Sequence, residues 1–324
     1  MAHAVKFYET GGADVLRYET VDIADPAAGE VRIRHTAIGL NFIDTYHRSG
    51  LYPVPLPSGL GLEAAGRVVA VGPDVNGFAE GDRVAYGTGP LGAYATEANR
   101  PAATLVRIPD AVEDSTAAAV MLKGMTAAYL LTMTRPIKSG DTILVHAAAG
   151  GTGLLMVQWA KHLGARVLGV VGSEEKAALA EAHGCDEVIL RGRDDLVERV
   201  RLLTDGAGVP VVYDSVGRAT FSASIDCLSP RGMLVSFGNA SGPAPPVEPG
   251  LLAAKGSLYV TRPTLVHYTS TREELEALAG AALGLVADGV LQVQVQQQFG
   301  LSEIASAHGA LESAETMGAT VLEP

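Results

Sequence analysis

The chain is poor in cysteine, aromatics and positive charge, and each shortage removes a class of protein. Only Cys185 and Cys227 occur in 324 residues, too few for a disulfide framework, so they read as reduced core thiols. Aromatic residues make up 5%, while 38 glycines and many alanines suit tightly packed α/β layers. The 24 Lys and Arg against 36 Asp and Glu give a net charge of −12. That balance opposes unspecific attraction to nucleic acid or an anionic membrane, yet it leaves room for a local basic pocket that holds one phosphate. The longest apolar runs, such as residues 167–171, are far too short to cross a bilayer. The opening residues 1–9 show no basic stretch followed by an apolar one, so no signal peptide and a cytoplasmic location are expected.

What is present fits a two-domain enzyme. A length of 324 residues is twice that of one ordinary domain, and 48% hydrophobic residues suffice for two cores. The first 120 residues read as β-rich: runs at 30–38, 65–71 and 83–86 are separated by Gly/Pro turns such as Val71-Gly72-Pro73-Asp74. Beyond Thr126 strands and helices alternate. Strands are expected at 141–146, 166–171, 186–190, 210–213, 233–237 and 257–261. Helices are expected at 152–163, 174–183, 194–204 and 219–228. Apolar stretches such as Ile143-Leu144-Val145 imply a sheet covered on both faces, hence a doubly wound parallel sheet of six strands. Helices at 271–288 and 302–313 are expected to pack back on the N-terminal part.

The sharpest local signal is His146-Ala147-Ala148-Ala149-Gly150-Gly151-Thr152-Gly153, which follows a strand and opens a helix. Glycines let the backbone approach a pyrophosphate, and the helix start offers unpaired N–H groups and partial positive charge. At the end of the next strand an NAD site usually carries an acid that binds both ribose hydroxyls. Here Val171-Gly172-Ser173 has none. Ser173, Lys176, Arg191 and Arg193 are the groups expected to meet a 2′-phosphate, and Glu174 and Glu175 oppose it unless they turn outward. NADPH is therefore the expected cofactor.

Further motifs extend over nearly the whole chain. They are Asn41-Phe42-Ile43-Asp44-Thr45-Tyr46, Arg48-Ser49-Gly50-Leu51-Tyr52-Pro53, Gly59-Leu60-Gly61-Leu62-Glu63-Ala64-Ala65-Gly66 and the run Leu122–Leu131. After the glycine loop come Tyr213-Asp214-Ser215-Val216-Gly217, Val235-Ser236-Phe237-Gly238-Asn239 and the run from Gly256 to Pro263. In order and spacing the chain resembles the zinc-free NADPH:quinone oxidoreductases and zeta-crystallin-like proteins of the medium-chain dehydrogenase/reductase superfamily. The resemblance implies a GroES-like catalytic domain from residues 1–124 and 265–324, wrapped around a Rossmann domain at 125–264, with the active cleft between them. It implies that Asn41, Tyr46 and Tyr52 line the nicotinamide and substrate end. Gly150, Gly151 and Gly153 would hold the pyrophosphate, Ser173 and Lys176 the 2′-phosphate, and Phe237, Gly238, Val260 and Arg262 the nicotinamide. Lys123, Thr126, Ala149, Thr152, Gly172, Arg191 and Ser215 complete the expected cofactor set. Arg191 stands where relatives carry a tyrosine beside the adenosine phosphate. Glu312-Ser313-Ala314-Glu315-Thr316 offers none of the basic residues that relatives place near the C-terminus. A homodimer joined through residues 257–261 is also implied.

Zinc relatives need a Cys or His cluster for the catalytic ion and four close cysteines for the structural one. Gly61-Leu62-Glu63 replaces their Gly-His-Glu, and no Cys precedes position 185, so no metal is expected. Quinones accept hydride without the Lewis acid that alcohol oxidation uses, because the ring itself takes up the charge. Hydride transfer from NADPH to a quinone is the expected reaction. Reduction of an enone or other α,β-unsaturated carbonyl is the nearest alternative. A non-catalytic crystallin-like or RNA-binding role is a third, which the charge balance and the lack of a basic-aromatic motif oppose.

Overall fold

The computed structural model describes all 324 residues. Two compact units form, one from Met1–Met125 with Tyr268–Pro324 and the other from Thr126–His267.

The first unit holds β1 (Ala2–Phe7), β2 (Arg17–Val21), β3 (Glu30–Leu40), α1 (Phe42–Arg48), β4 (Ser58–Gly59), β5 (Glu63–Val71), β6 (Arg83–Tyr86), β7 (Glu97–Pro101) and β8 (Val106–Arg107). Helix α2 (Asp114–Tyr129) then leads out of it. The main sheet runs β15-β16-β3-β5-β6-β8 with β7 also on β3, where β15 (Val295–Gly300) and β16 (Ala319–Glu323) come from the C-terminus. The C-terminal strands therefore join the sheet of β3 and β5, while β1 pairs with β2 and β4 in a separate small sheet, and Thr320 lies opposite Leu40, just before α1. Alternate residues of β3 and β5 point into one apolar core with Val5, Phe7, Leu60 and Tyr94. Helix α9 (Arg272–Ala287) opens on a capping box between Thr271 and Glu274, and α10 (Ile304–Glu312) follows β15.

The second unit holds β9 (Thr142–His146), α3 (Gly151–His162), β10 (Arg166–Val171), α4 (Glu174–Ala182), β11 (Glu187–Leu190), α5 (Leu196–Leu203), β12 (Val209–Asp214), α6 (Phe221–Asp226), β13 (Leu228–Ser236), α7 (Pro249–Ala254), β14 (Tyr259–Thr261) and α8 (Leu265–Tyr268). Its six strands are parallel in the order β11-β10-β9-β12-β13-β14. This is the doubly wound order, with the switch between β9 and β12.

Two expectations need correction. The helix expected over 219–228 stops at Asp226, and Leu228 already pairs with Val209. Pro230 offers no N–H and Arg231 takes a φ of 63°, so the register shifts there and only the regular half of β13 shows a strand pattern. The second concerns hydropathy. Asp114–Thr134 forms a continuous helical stretch of 21 residues, long and apolar enough to cross a membrane by composition, but 78% of its apolar window is buried inside the protein. Burial on all faces explains its apolarity. Cys185 and Cys227 are both free and buried, and burial pushes each thiol up to about 12.

Candidate active site

Within the second unit, the candidate residues gather at the carboxyl ends of the strands. The loop after β9 turns through Ala147, whose φ of 51° is strained for a residue with a Cβ. Gly150 is the N-cap of α3 and no side chain caps that helix. The first-turn N–H groups around Gly151 and Thr152 are thus open to an anionic partner. A Cβ on Gly153 would overlap the Ala147 carbonyl, so glycine alone lets α3 start this close to β9.

After β10, Ser173 caps α4 by accepting the Lys176 N–H at 3.3 Å, which leaves its own hydroxyl proton to donate. Arg191 follows β11, and its Nη2 lies 3.6 Å from where a Cβ on Gly172 would stand. Burial, then the charge of Arg191, holds the Lys176 ammonium below its ordinary value. Arg191 thus reaches Gly172, and the Lys176 side chain, one turn into the helix that Ser173 caps, lies within its field. Arg193 does not join them: it pairs with Glu174 at 2.5 Å and with Asp194 at 3.4 Å. Of the two acids expected to oppose a phosphate, Glu174 turns to Arg193 at the surface, while Glu175 stays near enough to act on the Lys176 charge.

Ser215 follows β12, Phe237 and Gly238 follow β13, and Arg262 follows β14. Phe237 N–H donates to the Asp214 carbonyl at 2.8 Å, and Arg262 Nη1 to the Ser236 carbonyl at 3.2 Å. Asp214 fixes this corner. Its Oδ1 accepts from the Val216 and Gly217 N–H groups at 2.8 and 3.0 Å, and its Oδ2 from Thr220 and Ser224 at 2.7 and 2.9 Å. Because the Ser224 proton goes to Asp214, His146 Nε2 must donate to Ser224 Oγ, 2.9 Å away. The last residue of β9 is thereby tied to the loop that carries Ser215. No sequence signal marked this His146–Ser224–Asp214 link.

In the first unit, Asn41 is the N-cap of α1, and Tyr46 and Tyr52 pack edge to face with ring centres 5.3 Å apart. Asn41 Nδ2 donates to Glu63 Oε2 at 2.8 Å. Lys123 Nζ reaches the same oxygen at 2.9 Å, and the Leu122 N–H donates to Glu63 Oε1 at 2.7 Å. All three side chains are buried. The Asn41 amide protons are therefore committed to Glu63 and, more weakly, to the Gly39 carbonyl at 3.4 Å. Gly39 sits beside this cluster, where a Cβ would overlap Glu63 and the Ala118 carbonyl. Lys123 lies in this unit as the partner of Glu63, and Thr126 is buried in α2 at the start of the second unit. Glu63 and its neighbour Asp44 were missed from sequence; the Asn41-x-x-Asp44 spacing of a capping box was the signal for the latter. No group of three His, Cys, Asp or Glu residues gathers to hold a metal ion.

A uniformly parallel six-stranded unit with an uncapped glycine turn, joined to a GroES-like β unit, defines a medium-chain dehydrogenase/reductase. Residues 27–110 match the alcohol dehydrogenase GroES-like domain and residues 151–280 the zinc-binding dehydrogenase domain. The quinone oxidoreductase of Pseudomonas aeruginosa is 54% identical over the whole of both chains. A 2-haloacrylate reductase from Burkholderia is 46% identical, over 100% of this chain and 99% of its own. Escherichia coli quinone oxidoreductase, solved in complex with NADPH, superposes with a TM-score of 0.98 at 49% identity, over 99% of this chain and all of that one. The chain belongs to the quinone oxidoreductase family.

Proposed function

We propose that the protein is an NADPH-dependent quinone reductase that works without a metal. The observation that carries this reading is Arg191 reaching Gly172 with Lys176 within its field, beside the Ser173 cap and one strand away from the uncapped start of α3. A pyrophosphate fits the open N–H groups of Gly151 and Thr152. A 2′-phosphate fits the two cations and the hydroxyl donor of this corner. When bound, NADPH supplies the hydride. Ala149, Gly150, Gly153 and Gly172 give its phosphates close backbone approach, while Ser215, Phe237, Gly238, Val260 and Arg262 flank the nicotinamide end. Tyr46 and Tyr52 orient the acceptor and donate hydrogen bonds to the oxygen on which negative charge develops, and a tyrosine or a water delivers the proton. Asn41 stands beside them, fixed from behind by Glu63. Lys123 pairs with Glu63, and Thr126 sits one helical turn further on.

A second reading, reduction of an activated carbon–carbon double bond, is favoured by the 46% identity to the 2-haloacrylate reductase. The protein is further read as cytoplasmic and as a homodimer joined edge to edge through β14, whose Tyr259 is exposed. Titration with NADPH and NADH, followed by turnover of 1,4-benzoquinone and a simple enone, tests the whole. Arg191→Ala and Lys176→Ala should each weaken NADPH roughly 10- to 100-fold, the value of one charged hydrogen bond, and leave NADH unchanged. Equal losses for both cofactors would refute the phosphate assignment. Faster turnover of the enone than of any quinone would replace the first reading by the second.

A further inference from the structure

Behind α1 lies a one-way chain of buried hydrogen bonds. Glu312 on α10 grips Arg48 with both oxygens, at 3.0 and 2.6 Å. Arg48 Nη1 lies 2.9 Å from His308 Nδ1. A guanidinium only donates, so Nδ1 carries the lone pair and the ring proton sits on Nε2. That nitrogen is 3.4 Å from the Tyr94 hydroxyl, which donates in turn to Asp44 Oδ2 at 2.7 Å. The Asn41 N–H donates to the same oxygen at 2.9 Å. Asp44 Oδ1 is buried and has no hydrogen-bond partner. Since Arg48 cannot accept a proton, the chain does not conduct protons to the surface. It points fixed donors at one carboxyl.

We propose that Asp44 is a positioning residue for turnover: its charge, received by Tyr94 and the Asn41 N–H, locks the first turn of α1 and with it Asn41 and Tyr46. This rests on the reading above that these two residues face the substrate. An ionised Asp44 at the third position of α1 draws both donors inward and favours the helix start. A protonated one keeps the shape but loses the charge-assisted part of both bonds.

Every charged or titratable neighbour bears on that charge. Burial pushes the Asp44 carboxyl up to about 7, with Glu63 on β5 pushing the same way, while Tyr94, the Asn41 N–H and Lys123 on α2 pull it down. His308 on α10 is held neutral, pushed down to about 3 by burial and by Arg48 on α1. Arg48 is paired with Glu312. Asp44 is thus the member of the chain that titrates near neutrality.

The test compares wild type, Asp44→Asn and Tyr94→Phe by kcat/KM for 1,4-benzoquinone and for an enone, at pH 5.5–8.5, with NADPH affinity measured in parallel. Wild-type kcat/KM should rise through an inflection near pH 7 while NADPH affinity stays level. Asp44→Asn should flatten the profile at the acid-limb value. Tyr94→Phe should move the inflection up by roughly one to two pH units, the worth of one hydrogen bond to a charge. An inflection that persists in Asp44→Asn, or that fails to rise in Tyr94→Phe, overturns the proposal. A second arm needs no turnover. A carboxyl raised on folding favours the folded state most at low pH and loses that advantage as pH rises to its folded value. The Tm of wild type minus that of Asp44→Asn should therefore fall from pH 5 to about 7 and then level. A flat difference overturns the assignment of Asp44 whatever the activity. Absence of turnover with either acceptor, alongside the expected Tm slope, overturns the function reading alone.

Discussion

Replacing Lys123 by methionine isolates the energetic role of the buried ion pair. Lys123 Nζ and Glu63 Oε2 are 2.9 Å apart, with side chains 7% and 0% exposed. At an effective dielectric of about 20, charges at that distance attract by roughly 6 kcal/mol, but both have been taken out of water, and that cost offsets most of the attraction. Truncating one partner removes the attraction and leaves the cost, about 3–5 kcal/mol in comparable buried pairs. Glu63 keeps the Asn41 and Leu122 donors, which places Lys123→Met near the lower end, about 3 kcal/mol. For a protein of this size that corresponds to a drop in Tm of roughly 6–12 °C. The assay is thermal unfolding without cofactor. The deficit should appear as a lower midpoint with the transition still cooperative. Adding Glu63→Gln should restore more than half of the loss. A single variant within about 1 kcal/mol of wild type, or a double variant worse than the sum, would refute the reasoning.

Two further outcomes follow from the second unit. Gly153→Val should raise the Kd for NADPH more than about tenfold in an isothermal titration, because even its Cβ overlaps the Ala147 carbonyl and the loop must move. Asp214→Asn places an amide N–H₂ against two of four incoming donors, so it should lower stability by about 2–4 kcal/mol and weaken NADPH as the Ser215 loop loosens. Unchanged cofactor affinity in a folded Asp214→Asn would separate that corner from the cofactor.

The glycine turn and the six-strand order were legible because their chemistry demands adjacent residues. A strand, a turn that needs Gly150 and Gly153, and a helix start follow one another in a dozen positions. The polar interior was not legible for the converse reason. Asn41 finds Glu63 across 22 positions, Lys123 finds it across 60, and Arg48 reaches His308 across 260. Each residue alone reads as an ordinary surface charge or turn former, and only the sheet that joins β3, β5 and β16 brings them together. The motifs around Asn41 and Glu63 were visible, but nothing in them said that the Asn41 amide is committed to a carboxylate.

Arg191 and Arg193 show the same limit within three positions. Both follow β11 and both were expected near the 2′-phosphate. Their side chains have opposite fates: Arg193 binds Glu174 and Asp194, while Arg191 presses its charge on Lys176. Two cations held near each other raise the energy of the cofactor-free site, and an anion that settles between them relieves that repulsion while it gains two charged hydrogen bonds. Under the proposed assignment, phosphate affinity at this corner depends on a repulsion already present in the free protein. For that reason Lys176→Ala should lose more affinity in wild type than in an Arg191→Ala background, by several-fold in Kd for NADPH. Strictly additive losses would mean that the two side chains act on the phosphate separately, or not on it at all.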